Sequence, residues 1–407
     1  MKHKVMPVCG LVLAVALATQ LSGSIAHADP GDNDFDNDTV NSIKNAVIEY
    51  QKVVDSEWTD YDATTGHDVT SAEQEVRDIR KGLLDESGIV VASAESDVRI
   101  PGKPYWEEGE ITIDVEISTT KTYAKFDHPG ERVEGVVTND HKIKLSRDGG
   151  YYVSVDALDN LIDEGSKGDG APSGSGEVSL DPSDSSRDSS GGGVDPTAVH
   201  SGNNSVEASS DNVSADASSP VFIQPVDSQG RTLNKEAMVE YAREWTSSPH
   251  DTNVNEGGLN PSYPMRGQNC ANFTSQALNV GGWEVEGGVL PFDPDVWTYN
   301  LDFFNRPSWT WVNAKDNAGY VLSRGYERLP NMWNADVGDI IYVDWGGGRD
   351  GGISHAMVVT SRGLGEPFIS QKSSNRSNVP LVESKLMAKA QGNEEPDWYA
   401  VTFGGGA

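Results

Sequence analysis

The sequence predicts an α+β protein of two ordered units joined by a polar linker, with helices ahead of antiparallel strands in each unit. Three observations carry this expectation. Apolar residues recur at helical spacing from Thr39 to Trp58 and again after Ser71, and strict alternation takes over from Ile111. Residues 165–220 are dense in Ser, Gly and Asp and nearly lack large apolar side chains, so this stretch cannot bury enough surface to offset its ordering entropy. A second helix-then-strand pattern, rich in tryptophan, runs from Asn234 to Phe403.

The 407-residue chain opens with a targeting pattern. Lys2 and Lys4 precede an apolar run from Val5 to Leu21, and Ala26-His27-Ala28 supplies small residues around a cleavage point. The expected organisation is a signal peptide at 1–28, a small α+β unit at 29–164, a flexible, disordered linker at 165–220 and a larger α+β unit at 221–407. No later apolar run has membrane-spanning length, so a secreted, extracellular or cell-wall-associated protein is expected. Asp32, Asp34, Asp36 and Asp38 lack the glycine and terminal glutamate of a calcium loop and read as a solvated leader. With 63 acidic against 31 basic residues the formal net charge is −32, which repels phosphate backbones and argues against nucleic acid as a partner. No phosphate loop or zinc spacing stands out, and no cofactor or metal is expected.

In the first unit, Val40, Ile43, Val47, Tyr50 and Val54 mark one helix. Ser71 with Gln74 resembles a capping box for a second helix, which Gly88 stops. Strands are expected from Ile111 to Ile117, Val133 to Val137, Lys142 to Leu145 and Tyr151 to Val155, with Asp148-Gly149 as a hairpin turn. His67, His128 and His141 read as surface histidines. In the second unit, Asn234 caps a helix carrying Ala237, Met238, Tyr241, Ala242 and Trp245. Another helix begins near Cys270 and ends at Gly281-Gly282. Strands follow at Asp339 to Val343, His355 to Ser361, Phe368 to Lys372 and Trp398 to Phe403. The linker implies that the two units fold independently.

Chemistry concentrates at two positions. Of two cysteines, Cys9 lies in the leader, leaving Cys270 as the lone thiol, where a buried inert role and a nucleophile are both open. Cys270 stands where a polar loop turns into a helix, and the free N–H groups there favour a thiolate and can hold an oxyanion. A thiol nucleophile needs a base. His250 sits in a polar loop, whereas His355 opens the apolar strand His355-Ala356-Met357-Val358-Val359, which can hold an imidazole at the mouth of a cleft. Gln268 or Asn269 could add an oxyanion donor. Thr274, Ser275 and Gln276 read equally as substrate contacts or a polar helix face. Asp339 is expected to fix a turn, and Asp344 and Asp350 to sit in glycine-rich turns, with a place lining the cleft as the alternative. The tryptophans read mainly as core, with a substrate groove as the alternative.

The segments Asn260-Pro261-Ser262-Tyr263-Pro264 and Asn269-Cys270-Ala271-Asn272-Phe273-Thr274-Ser275-Gln276 resemble the putative amidase domain of secreted bacterial proteins. So do Trp309-Thr310-Trp311-Val312-Asn313, Gly338-Asp339-Ile340-Ile341-Tyr342-Val343-Asp344-Trp345, the His355 strand and Ile369-Ser370-Gln371. The resemblance covers about Asn234 to Pro380. It implies a papain-like cysteine hydrolase fold, a Cys270–His355 pair and a third polar group that orients the imidazole. Pairing across a hairpin at Arg362-Gly363-Leu364-Gly365 brings Gln371 nearest to His355, with Asn375 as the second candidate. Lys372 stands where the resemblance expects histidine, and lysine, a donor only, cannot replace it as a partner for the base. The implied activity is hydrolysis of an amide bond in a peptide or peptidoglycan-like substrate. The alternatives are a surface binding protein on a decayed hydrolase fold, which Lys372 motivates, and an acyltransferase or transpeptidase with the same dyad.

Overall fold

The computed structural model describes residues 35–61, 70–147, 150–158, 233–247, 260–264, 269–301, 306–346, 352–372, 375–390, 392 and 396–404. The expected leader and linker, the Asp148-Gly149 turn, His67, His250, Gln268 and Asp350 lie outside the described residues.

The architecture is mixed α+β. Helix α1 (Asn37–Thr59) starts at Asp36, whose carboxylate accepts the Thr39 N–H at 2.7 Å. Its stripe of Ile43 and Val47 packs on Ile111, Ile113, Val115 and Ile117 of the sheet. Helix α2 (Ser71–Ser87) carries a true capping box one residue earlier than expected. Thr70 accepts from the Glu73 N–H, and the Glu73 carboxylate accepts from the Thr70 N–H. Gly88 ends α2 in the left-handed region at φ 65°, as its position suggested.

Strands β1 (Ile89–Arg99), β2 (Tyr105–Glu107), β3 (Glu110–Lys125), β4 (Arg132–Arg147) and β5 (Tyr151–Leu158) follow. The two strands expected between Val133 and Leu145 are one, β4, which pairs with β3 along nearly its whole length. His141 is not a surface histidine: its side chain is 11% exposed, and Nδ1 lies 2.8 Å from Asp156 Oδ1. His128 is exposed, as expected.

The second half adds α3 (Lys235–Ser247), α4 (Cys270–Val280), α5 (Trp309–Val312), α6 (Ala314–Ser323) and α7 (Leu381–Ala390). Its strands are β6 (Glu327–Leu329), β7 (Ile340–Asp344), β8 (His355–Gly363), β9 (Glu366–Gln371), β10 (Asn375–Pro380) and β11 (Asp397–Thr402). The Asn234 side chain caps α3 through the Ala237 N–H at 3.1 Å. Strands β8 and β9 meet at the expected hairpin. Leu364 (φ 51°) and Gly365 (φ 84°) are both left-handed, as a tight two-residue hairpin turn requires. Leucine is an unusual tenant of that region, and burial of its side chain beside Phe368 and Leu386 compensates.

The two halves do not fold as separate bodies. All named strands belong to one antiparallel sheet, whose path is β1-β3-β4-β10-β9-β8-β7-β11-β6, with β2 on β3 and β5 on β4. The far edge of β4 serves β5 from His141 to Arg147 and β10 from Val136 to Thr138. At this seam Gly135 lies so close to Asn378 that a Cβ would stand 2.5 Å from the Asn378 carbonyl oxygen. Asn378 takes φ 54° there, and its amide donates to the Glu134 carbonyl at 2.9 Å. Beneath the seam, α2 packs on α7, and Lys121 of β3 pairs with Glu383 of α7.

Candidate active site

The sheet of the second half separates two cores. Tyr342, Ala356 and Val358 point into one, shared with α3, α4, α6 and the clustered aromatics Trp283, Trp297 and Trp311. Ile341, Val343, Met357, Val359 and Ile369 point into the other. These tryptophans are fully buried and form core rather than a groove.

Cys270 is the first residue of α4 and belongs to the first core. Asn269 caps α4 by position, but its side chain makes no capping bond. It accepts instead from Asn272 Nδ2 at 3.0 Å. Asn272 also donates to the Pro264 carbonyl and accepts from Trp311 Nε1, which ties the loop before the cysteine to the aromatic core. The helix start therefore keeps backbone donors uncommitted to the Asn269 side chain, beside the thiol. The thiol itself donates to the Ser354 carbonyl at 3.8 Å.

The next residue along is His355, 1% exposed, at the start of β8. Directly opposed residues of antiparallel neighbours share a face, so His355 shares its face with Val343. Its ring rests on Trp345, with centroids 5.6 Å apart and planes tilted by 36°. Both ring nitrogens are buried without a hydrogen-bond partner among the described residues. Burial pushes the imidazole down to about 4; the Gln371 side chain, near the ring but too poorly placed to satisfy either nitrogen, opposes that shift by hydrogen bonding, and the Arg376 charge adds to it. The ring is thus neutral at ordinary pH.

The expected residues divide as follows. Gln371 ends β9 on the His355 side and acts on the imidazole, whereas no hydrogen bond joins the thiol to the ring. Asn375 opens β10, and its amide donates to the Thr246 carbonyl at 3.2 Å rather than to His355. Lys372 is buried. Thr274, Ser275 and Gln276 form no polar surface: all three are buried in structural bonds. Thr274 bonds to the Cys270 carbonyl and Gln276 to Tyr241. Ser275 donates to the Trp311 carbonyl and accepts from Trp297 and Asn317. Asp339 does fix its turn, accepting the Asp336 N–H at 2.8 Å, and it also holds Lys235 and the Phe403 N–H. Asp344 accepts the Gly346 N–H at 3.0 Å, a turn role as expected.

Two neighbours of the imidazole were missed as such. Trp345 had a signal, since it ends the strand that pairs with His355. Arg376 had none, because the start of its strand β10, Asn375 to Asn378, is polar and reads as loop.

Residues 232–394 match the family model described as Putative amidase domain. The chain is 27% identical over 154 residues to the uncharacterized protein YjcM of Bacillus subtilis (strain 168). The match takes in 35% of this chain and 32% of YjcM, so the chain spans about a third of that relative's length. Among solved structures, the intermembrane space region of chloroplast protein ARC6 aligns over 31% of this chain and 97% of its own, at 12% identity. Its TM-score of 0.24 supports no inference about fold. The matched stretch runs from α3 to α7 and contains both Cys270 and His355, and over it this chain is similar to the putative amidase domain family.

Proposed function

We propose that the chain is a cysteine hydrolase of amide bonds, with Cys270 as nucleophile and His355 as base. The observation that carries this reading is the thiol at the first turn of α4, bonded to the carbonyl next to a buried neutral imidazole whose nitrogens are both unpaired. Buried polar groups without partners are rare and concentrate where a reaction needs them.

The reaction follows from these groups. His355 takes the thiol proton as sulfur attacks the amide carbon, and the N–H groups at the start of α4 receive the charge on oxygen. The C–N bond then breaks as the imidazolium returns its proton to the departing amine. Water, deprotonated by His355, cleaves the acyl thioester and releases acid and thiol. His355 and Cys270 stand on opposite faces of the sheet, so the first step requires the imidazole to leave Trp345 and the start of β8 to turn so that the ring reaches the sulfur. Catalytic hydrogen bonds commonly tighten only when substrate is present. Gln371 is the orienting group of choice. The substrate class is a peptide amide, with cell-wall peptide as the specific candidate and the extracellular side as the place of action. A papain-like arrangement of helix and sheet is part of the same reading.

The test is hydrolysis of peptide and cell-wall amides by the full chain, alongside iodoacetamide labelling of Cys270 across pH. Cys270→Ala should abolish hydrolysis, and His355→Ala should slow labelling near neutral pH. Retained hydrolysis in Cys270→Ala sinks the proposal. A second reading, a binding protein on a decayed site, is favoured by the lack of a thiol–imidazole bond and by Lys372. It predicts slow labelling indifferent to His355.

A further inference from the structure

The first half of the chain contains a cavity that the proposed chemistry does not use. It has a volume of about 70 Å³ and lies between α1, α2, strands β3 to β5 and the side chain of Met387 on α7. At roughly 10–15 Å³ per enclosed water on this measure, that is room for about five non-hydrogen atoms. One part of the wall is apolar, with Val54, Trp58 and Ile79; the other carries Glu75, Asn139, His141 and Asp156.

The polar wall is unevenly satisfied. His141 and Asp156 hold each other, and Tyr50 donates to Asp156. Lys121 also lines the cavity, but its ammonium is answered by Glu383 at 2.7 Å and lies over the Trp58 ring. Two atoms have no partner among the described residues: Glu75 Oε1 and Asn139 Oδ1, both buried. Both are acceptors, so the missing component is a donor. Among the lining residues the lysine cation, Lys121, is already answered by Glu383. Burial disfavours the Glu75 carboxylate and the charges of Arg376, His141 and Lys121 favour it, yet none of these groups bonds to its Oε1; a donor that is also a cation would supply that bond. The apolar wall adds a preference for an alkyl group over a bare ion.

We propose that this cavity is a binding site for a small alkylammonium ligand, held by the Glu75 carboxylate and the Asn139 side-chain oxygen. The site goes beyond the amide chemistry of Cys270 and does not depend on it. Charge-assisted bonds to the ammonium give affinity, and the wall of Val54, Trp58 and Ile79 receives the chain.

The experiment is calorimetric titration of the full chain with butylammonium, butan-1-ol and potassium ion. Butylammonium should bind saturably at one site, and the alcohol and the metal ion at least about tenfold more weakly, the loss of roughly one charge-assisted bond or of the alkyl contact. Glu75→Gln should weaken butylammonium by about tenfold or more. Thermal unfolding of the same variant without ligand reports that it folds. Asn139→Leu should weaken binding as well. Absence of saturable binding, equal binding of butan-1-ol or potassium, or affinity indifferent to Glu75→Gln would each overturn the proposal.

Discussion

Lys121 of β3 and Glu383 of α7 form a fully buried ion pair at 2.7 Å across the seam between the two halves of the chain. The other Glu383 oxygen accepts from Tyr123 at 2.8 Å, so both carboxylate oxygens are satisfied. Breaking such a pair on one side leaves a buried charge and costs about 3–5 kcal/mol. Lys121→Met is expected to destabilise the full chain by about that much in urea unfolding, and adding Glu383→Leu should recover a large part of the loss. A double variant as unstable as the single one would show that the pair is incidental.

The seam itself depends on a missing side chain. A Cβ on Gly135 would press into the backbone of Asn378, whose side-chain amide is itself bonded to the Glu134 carbonyl. Gly135→Ala should cost about 1–3 kcal/mol, as overpacking does. Faster amide exchange should appear along Asn375–Pro380, while Ile111–Ile117 stays protected. Unchanged exchange on β10 would contradict this account of the junction.

Two buried groups give opposite dependences of stability on pH. His355 is lowered by burial to about 4, so its contribution is fully present above its unfolded value and is lost as pH falls through about 4. Glu366 is raised by burial to about 7, so its contribution is fully present below its unfolded value and is lost as pH rises through about 7. Each effect is on the order of 3 kcal/mol, and they largely cancel in the parent between pH 4 and 7. Relative to the parent, His355→Gln should gain stability at the acid end of this window, and Glu366→Gln at the neutral end. Parallel stability–pH curves for all three proteins would refute the assignment.

Ser275 provides a test of fold against function. Its hydroxyl holds Trp297, Asn317 and the Trp311 carbonyl, so Ser275→Ala leaves buried partners unsatisfied and should cost about 2–3 kcal/mol. Iodoacetamide labelling of Cys270 at low temperature should keep its pH profile. A changed profile with unchanged stability would instead place Ser275 in the reacting site.

The sequence made the periodic elements legible and left the seam hidden. Helices α1, α2 and α3 and strand β3 were announced by apolar spacing, because each packs chiefly one face on a core, and β7, β8 and β9 by short apolar runs, because they lie between two cores. Strand β10, Asn-Arg-Ser-Asn-Val-Pro, shows no such signal because its buried side chains are mostly polar and find polar partners, as Arg376 finds Ser384. Helix α7 has apolar and polar residues buried all round, so its periodicity is erased. At the candidate site, residue type and position pointed to Cys270, His355 and Gln371. Which way the imidazole faces was not legible, since that follows from the register of β7 on β8.

The pairing of β10 with β4 also governs the order in which the chain can mature. A ribosome releases α1 to β5 long before Asn375–Pro380, so the nascent first half must wait with the Val136–Thr138 edge of β4 unpaired. Contacts so remote in the chain close late and slowly, and an open edge invites the wrong strand in the meantime. Truncation ahead of β10 should therefore yield an assembly-prone fragment rather than a free-standing domain.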